Sequence, residues 1–204
     1  ATRANVPLVD TAERYGASPV SLIPAALAGL GLPLDKSYLG GDCESNLAEW
    51  APRSNVATKF TPTPWRTDAQ SVVEACEASR ARLGVERIAL YQIHMPDIIQ
   101  PFKAFGIEQR KDEIYWDGLA ECYHRGLVAN VGVSNYGPTL LERAQEALAK
   151  RGVPLASNQI AFNLLCRRDG SLATVERGAE LGVATLAYYP LAIGLLTGQL
   201  TASR

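Results

Sequence analysis

Residues 8–16, LVDTAERYG, place an aspartate at the end of a short apolar run and a tyrosine five positions later. A short apolar run that ends in polar residues is typical of a buried strand followed by a loop. The loop lacks the G-x-G-x-x-G motif that a doubly wound dinucleotide-binding sheet usually carries in its first turn. This absence disfavours such a sheet, and we expect Asp10 at the end of the strand and Tyr15 in the loop that follows it.

The chain from residue 55 onward repeats a strand, a polar loop, an amphipathic helix and a glycine. Four helices are predicted: one after Thr67, one through Trp116, one from Pro138 and one at about 172–181. Thr67 is expected to form a capping box with Gln70 at the start of the first. Six strands are predicted, at about 6–11, 55–60, 87–94, 127–134, 155–161 and 183–189. Nearly continuous apolar strands that alternate with helices imply a parallel sheet covered by helices, either doubly wound or closed into a barrel.

Polar residues at the strand ends favour the barrel. At least one lies at or near the carboxyl end of every predicted strand: Asp10, Lys59, His94, Ser134, Asn135, Asn158, Gln159 and Tyr188. In a closed barrel these ends converge on one mouth, whereas a doubly wound sheet uses only the ends beside its switch point. The sequence thus predicts an α/β fold of the (β/α)8 TIM-barrel type, as a single domain over residues 1–204 with about six βα units.

Composition limits the partners. Twenty basic and 21 acidic residues leave a net charge of −1, so no global field attracts nucleic acid or an anionic membrane, and small molecules are the expected partners. The four cysteines lie far apart without a C-x-x-C pair, which argues against a metal site or disulfide framework and fits a reducing compartment. The longest apolar run, residues 20–34, contains prolines and glycines and is shorter than the roughly 20 residues that span a bilayer, so no transmembrane segment is expected.

Four of the mouth residues form a chemical unit, although each also has an ordinary interpretation as a solvated, packing or surface side chain. A tyrosine with a reference pKa of about 10 is a poor proton donor at neutral pH, and an adjacent ammonium lowers that pKa. Lys59 is expected to supply this charge and Asp10 to hold Lys59 by an ion pair. His94 would bind the substrate oxygen or the phenol while Tyr15 gives its proton to a developing alkoxide.

These residues lie in sequence blocks that resemble the aldo-keto reductase family. The blocks are DTAERYG (10–16), VATKF (56–60), YQIHMPD (91–97), VGVSNY (131–136), SNQIAFNLL (157–165) and AYYPLAIGLLTGQL (187–200). The resemblance covers about residues 6–16 and 55–200 and implies an NADPH-dependent reductase of aldehydes or ketones. The catalytic tetrad of the family then falls on Asp10, Tyr15, Lys59 and His94. The finer pattern looks like plastid members from plants and green algae, which implies a chloroplast location, or otherwise the cytoplasm.

The resemblance also implies a cofactor site for NADPH, bound extended across the barrel mouth. Ser134, Asn135 and Gln159 would bind the nicotinamide carboxamide, and Tyr188 would stack on the ring. The segment from Leu191 to Gly198, which includes Gly194 and Thr197, would wrap the pyrophosphate through its backbone amides, since glycine allows close approach. An ordinary loop between a strand and a helix is the alternative interpretation of this segment.

The sequence departs from the family in two places. The first and eighth barrel strands are not found, and the basic contacts to the adenosine 2′-phosphate follow the last strand in the family. An open sheet would expose two apolar edges, so we expect either a piece of a longer protein or a protein partner that covers the gap. Residues 17–54 form an atypical, variable segment that lacks the expected helix, except for a remnant at about 44–50. This segment is interpreted as a substrate-side lid, a partner-binding patch or an imperfect gene model, and its apolar part, residues 20–34, fits an interaction surface.

Two further functions remain as alternatives. One is a catalytically silent structural or binding subunit of a larger assembly that keeps the aldo-keto reductase fold. The other, a doubly wound hydrolase, is disfavoured because the sequence lacks a G-x-S-x-G elbow. Trp65, Trp116 and Tyr136 are candidates either for lining the substrate pocket or for core packing.

Overall fold

The computed structural model describes residues 8–13, 15, 42–98, 110–165 and 170–199. Strands and helices alternate along these residues, and we number them in chain order. They are β1 (Val9–Asp10), α1 (Asp42–Leu47), β2 (Val56–Phe60), α2 (Gln70–Leu83), β3 (Leu90–Ile93), α3 (Asp112–His124), β4 (Val131–Ser134), α4 (Pro138–Ala149), β5 (Leu155–Ala161), α5 (Ser171–Glu180) and β6 (Ala184–Tyr188). Short 3-10 turns cover Ala51–Arg53 and Ala192–Thr197.

The six strands form one parallel sheet in the order β1-β2-β3-β4-β5-β6. The sheet is curled, because a side chain on β5 reaches one on β1, four strands away in the sheet order. The prediction of a partial (β/α)8 barrel with six strands is therefore confirmed. The strand β5 has the predicted bounds, whereas β2, β3, β4 and β6 are one to four residues shorter than predicted; Ile88, for example, pairs with Val128 only as an isolated bridge ahead of β3.

The main core lies between the outer face of the sheet and the helices. Phe60, Tyr91 and Ile93 point outward from β2 and β3 and have no exposed surface. They pack with apolar side chains of the helices, including Val72 of α2 and Trp116 of α3. Complete burial of one large apolar side chain contributes about 1.5–3 kcal/mol, so this layer supplies much of the stability that holds the strand ends in place.

Close packing of α2 against α3 depends on one glycine. A Cβ atom at Gly118 would lie 2.5 Å from Cβ of Val72 and 2.7 Å from the carbonyl oxygen of Ala69. Real Cβ atoms do not approach so closely, so only glycine permits this helix contact. The fold accordingly needs Gly118 for its packing rather than for its backbone angles.

The helix boundaries confirm most of the sequence signals and correct one. Pro138 begins α4 as predicted, and Gly152 follows this helix with a φ of 71°. The predicted capping box of Thr67 with Gln70 is wrong. The Oδ1 atom of Asp68 instead accepts a hydrogen bond from the amide of Ser71 at 2.8 Å, and this acceptor satisfies an amide in the first turn of α2.

Helix α1 occupies the place where a remnant helix was predicted. Its Glu44 has no exposed surface, and its carboxylate accepts hydrogen bonds from Oγ1 of Thr58 at 2.5 Å and from Nε of Arg82 at 2.7 Å. This buried ion pair ties α1 to β2 and α2. The apolar segment 20–34 lies outside the described residues, as does most of the unusual segment 17–54.

The three aromatic residues considered for the pocket divide between core and surface. Trp116 and Tyr136 are buried, and Nε1 of Trp116 donates a hydrogen bond to the hydroxyl of Tyr136 at 3.3 Å. Trp65 is 41% exposed in the loop after β2. Core packing therefore accounts for the first two. Among the residues that the structure describes, no helix is both long and apolar enough to cross a bilayer.

Candidate active site

The carboxyl ends of the strands bring the predicted mouth residues together. A cavity of about 300 Å³ is lined there by Tyr15, His94, Ser134, Asn135, Gln159, Tyr188 and Tyr189. Six of these seven residues were predicted from the sequence, and they come from five separate stretches of chain. The side chain of Asn158, in contrast, turns away from this group and bonds to the backbone of Tyr136.

Lys59 lies at the centre of the polar contacts below the cavity. Its side chain is 1% exposed. The ammonium group donates to Oδ1 and Oδ2 of Asp10 at 2.8 and 2.7 Å and to the carbonyl oxygen of Thr11 at 2.8 Å. It also donates to the hydroxyl of Tyr15 at 3.3 Å. Lys59 therefore contacts both Asp10 and Tyr15, the two residues predicted to act with it.

The electrostatic balance at Tyr15 corrects the expectation from the sequence. Burial raises the pKa of Tyr15, and the negative charge of Asp10 raises this pKa further, with smaller effects from Tyr189 and Cys43. Lys59 does not reverse this shift, because its charge is paired with Asp10 at less than 3 Å. Burial also lowers the pKa of Lys59, and Asp10 opposes this effect. Tyr15 is thus protonated at neutral pH.

His94 follows β3 and faces Tyr15. The two rings meet edge to face, with their centroids 5.6 Å apart. Burial lowers the pKa of His94, and the nearby charge of Lys59 lowers it as well, so the imidazole is neutral at pH 7. A neutral imidazole has one N–H donor and one acceptor nitrogen. His94 can therefore give one hydrogen bond to a ligand oxygen without bringing a positive charge.

The second group of mouth residues is joined by its own hydrogen bonds. The Oγ atom of Ser134 donates to the carbonyl oxygen of Gln159 at 2.8 Å, and the hydroxyl of Tyr188 donates to Oδ1 of Asn135 at 2.8 Å. The Nδ2 atom of Asn135 donates to the carbonyl oxygen of His94 at 3.0 Å. Asn135 itself has a φ of 62°, a left-handed conformation that asparagine tolerates better than most residues.

The segment from Leu191 to Gly198 is a compact turn with left-handed residues, including Gly194 at a φ of 97° and Gly198 at 75°. The amides of Gly194 and Leu196 both donate to the carbonyl oxygen of Leu191. The hydroxyl of Thr197 donates to the carbonyl oxygen of Gly194 at 2.7 Å. In this conformation two of the amides expected to face a pyrophosphate are bonded within the turn.

Three residues at the site were not predicted. Tyr189 lines the cavity beside Tyr188 and has a strained φ of 54°. Glu13 and Arg66 form an ion pair beneath the Tyr15 loop. Glu13 belongs to the quoted motif, but nothing in the local sequence connects it to an arginine 53 positions later. Only the fold brings the two together.

Solved structures share this architecture. The chain superposes on a glycerol dehydrogenase from Gluconobacter oxydans with a TM-score of 0.70 at 23% identity, covering 100% of this chain and 55% of that one. A thermostable aldo-keto reductase in complex with the inhibitor epalrestat gives a TM-score of 0.66 at 22% identity, covering 99% and 60%. The fold is thus that of a (β/α)8 barrel, of which the described residues form a part.

Sequence comparison establishes the family. The Aldo/keto reductase family profile matches residues 1–204, and the chain belongs to this family. It is 34% identical to a chloroplastic pyridoxal reductase of Arabidopsis thaliana over 197 residues, 97% of this chain and 50% of the relative. It is 35% identical to an aldo-keto reductase of Strobilurus tenacellus over 175 residues, 81% and 48% of the two chains. The chain spans about half the length of these relatives.

Proposed function

We propose that this chain provides the reaction centre of an NADPH-dependent enzyme that reduces aldehydes or ketones to alcohols. The observation that carries this proposal is the contact of 3.3 Å between Nζ of Lys59 and the hydroxyl of Tyr15, with Lys59 held by both oxygens of Asp10. Family membership supports oxidoreductase chemistry, and a relative named as a pyridoxal reductase supports an aldehyde substrate.

The mouth residues fit a nicotinamide cofactor. A carboxamide needs both donors and acceptors, and Ser134, Asn135 and Gln159 present hydroxyl and amide groups around one cavity. Gln159 bonds to Asp10 through one N–H, and a primary amide has a second N–H and a carbonyl oxygen. Tyr188 offers an aromatic ring at the same cavity for stacking. When bound there, NADPH would supply the hydride that adds to the carbonyl carbon.

Tyr15 is the proposed acid. The raised pKa of Tyr15 keeps its phenol protonated until negative charge develops on the substrate oxygen. The resulting alkoxide is a stronger base than the phenolate. The proton then passes from the hydroxyl of Tyr15 to the substrate oxygen. Lys59 donates a hydrogen bond to the oxygen that is left behind, and so stabilises the phenolate as it forms.

His94 is proposed to orient the carbonyl. A neutral imidazole donor next to Tyr15 can bind the substrate oxygen and polarise it, without competing with Lys59 for Asp10. Both donors would then converge on the position where negative charge develops. The alternative of a silent binding subunit has less support, because a subunit without chemistry does not need these four side chains gathered around one phenol.

We also propose a compartment, by analogy with a relative, and a protein contact, from the exposed residues of β6. The chloroplastic relative supports a plastid location for this protein. Residues of β6 are exposed or only partly buried, whereas β2, β3 and β4 are buried throughout. We propose that further protein, from the same or another chain, covers β6 in the working enzyme.

The proposal is tested by measuring NADPH oxidation with a panel of aldehydes and ketones for the chain and its Tyr15→Phe variant. The variant should bind NADPH, as followed by tryptophan quenching, and lose carbonyl reduction by at least about a hundredfold, the scale of general acid catalysis. Tyr123→Phe, the same change on α3 away from the cavity, is the matched control. Equal reduction by Tyr15→Phe and the parent chain would contradict the proposal.

A further inference from the structure

A buried ion pair lies directly beneath the loop that carries Tyr15. Glu13 is 6% exposed, and its Oε1 atom accepts hydrogen bonds from the backbone amide of Thr61 at 2.6 Å and from Nη1 of Arg66 at 2.5 Å. The Oε2 atom accepts from Nη2 of Arg66 at 3.1 Å. The guanidinium and the carboxylate therefore meet in a two-point contact, which fixes orientation as well as distance.

Arg66 is itself held from several sides. Its Nη1 donates to the carbonyl oxygen of Thr61 at 2.9 Å, and its guanidinium lies over the ring of Phe60 at 4.5 Å. Its backbone carbonyl oxygen accepts a hydrogen bond from the hydroxyl of Tyr115 at 2.7 Å. Burial opposes the charge of Arg66, but the neighbouring Glu13 more than compensates and raises the pKa of Arg66. Arg66 is thus a rigid, charged anchor.

The position of this pair in the chain connects it to the reaction centre. Glu13 precedes Tyr15 by two residues, and Thr61 follows Lys59 by two. The backbone hydrogen bond between these two segments is long: the amide nitrogen of Glu13 lies 3.4 Å from the carbonyl oxygen of Lys59. The side-chain contacts of Glu13 are shorter, so they are the stronger tie between the Tyr15 loop and the end of β2.

We propose that Glu13 and Arg66 are positioning residues that set the contact between Tyr15 and Lys59. They touch neither the cavity nor the reacting groups, and they act by holding the Tyr15 loop against the segment that follows Lys59. The consequence for catalysis rests on the proposed function. The effect on the position of Tyr15 is independent of that function, because it follows from the contacts alone.

The test is a spectrophotometric titration of the Tyr15 phenol in the full 204-residue chain and in its Glu13→Gln variant. Subtraction of the curve of the matching Tyr15→Phe protein isolates the signal of Tyr15. Asp10, Lys59, His94, Tyr189 and Cys43 face this phenol, and Glu13 is not among them. Glutamine keeps the shape of Glu13 and an acceptor for Thr61, so a change at Tyr15 reports release of the loop. Tyr15 is 39% exposed and its remaining burial raises the pKa, so a released loop should expose the phenol further and lower this pKa toward its ordinary value of about 10.

Glu44→Gln is the matched control. Glu44 is also a buried glutamate paired with an arginine, but its pair lies on the outer face of β2, where Thr58 points away from Lys59. This variant should unfold more easily and leave the pKa of Tyr15 unchanged. An unchanged pKa in Glu13→Gln, or an equal shift in both variants, would overturn the proposal. Should Glu13→Gln fail to fold, Arg66→Lys, which keeps the charge and loses the two-point contact, must show the same shift.

Activity provides a second and separable result. Glu13→Gln should lower kcat by about tenfold to a hundredfold with little change in KM, the expected effect of a small displacement of a catalytic group, while Glu44→Gln should leave both constants unchanged. An unchanged pKa of Tyr15 in Glu13→Gln contradicts the positioning role, even if the parent chain reduces carbonyls. Full activity of Tyr15→Phe contradicts the proposed function even if the phenol shift is seen.

Discussion

The side chain of Gln159 on β5 donates a hydrogen bond to Oδ2 of Asp10 on β1, with Nε2 and Oδ2 3.1 Å apart and 149 positions between the residues. The two strands are not neighbours in the sheet, so this bond exists only because the sheet curls. It joins the residue that anchors Lys59 to the group proposed to bind the nicotinamide. The two halves of the proposed reaction centre are therefore one hydrogen-bonded network.

Replacement of Gln159 should weaken the binding of NADPH. Gln159→Leu keeps much of the side-chain volume but removes the amide that is proposed to meet the carboxamide. We expect about a tenfold rise in Kd, which corresponds to about 1.4 kcal/mol, measured by quenching of tryptophan fluorescence. Asn130→Leu, at the amino-terminal side of β4 and away from the mouth, is the control. An equal Kd for Gln159→Leu and the parent chain would contradict this prediction.

Neutralisation of Asp10 should lower the pKa of Tyr15. The negative charge of Asp10 disfavours the phenolate and pairs with Lys59, so Asp10→Asn removes one raising effect and leaves the ammonium less compensated. The titration of the phenol should therefore move to lower pH. Ultraviolet difference spectra against a matching Tyr15→Phe protein measure this shift. An upward shift would mean that Asp10 acts mainly by holding Lys59 in place.

His94 should make the stability of the fold depend on pH. Burial lowers the pKa of His94 in the folded chain, so the unfolded chain takes up a proton first as the pH falls below about 6.5. Stability contributed by the neutral form is therefore present above this pH and is lost as the pH falls toward the lowered value. Urea unfolding at pH 7.5 and 5.5 should show a smaller difference for His94→Gln than for the parent chain. His124→Gln, which alters the exposed histidine, should keep the full difference.

The buried pair of Glu44 and Arg82 should contribute to stability without affecting the site. Glu44→Gln leaves Arg82 without its carboxylate partner, but the side chain of Arg82 is 28% exposed and water compensates in part. We expect a loss of about 2 kcal/mol in the free energy of unfolding, within the range for hydrogen bonds to charged groups.

The comparison for this prediction is an exposed ion pair. Glu142 contacts Arg177 on the surface, with side chains 40% and 33% exposed, and exposed pairs of this kind contribute little to stability. Urea denaturation of Glu142→Gln should therefore give nearly the stability of the parent chain. A larger loss for Glu142→Gln than for Glu44→Gln would show that burial is not what makes the Glu44 pair important.

Sequence patterns were sufficient for features that depend on neighbouring residues. The start of α4 at Pro138 and the glycine after that helix follow from local backbone preferences. The alternation of apolar strands with helices identified the parallel barrel, because strands covered on both faces are apolar along their whole length. The polar residue that closes each strand then indicated one mouth, since parallel strands end on the same side.

The sequence by itself thus determined the class of fold and most of the side chains that meet at the mouth, although not Tyr189. Only the tertiary structure decided how those side chains act on one another. The pKa of Tyr15 is raised rather than lowered because the phenol is partly buried and Asp10 is negatively charged, while the charge of Lys59 is paired with Asp10 at less than 3 Å. The pairs Glu13–Arg66 and Glu44–Arg82 likewise join segments far apart in the chain. Local patterns follow from neighbouring residues, whereas charge balance depends on distance and burial, which exist only once the chain has folded.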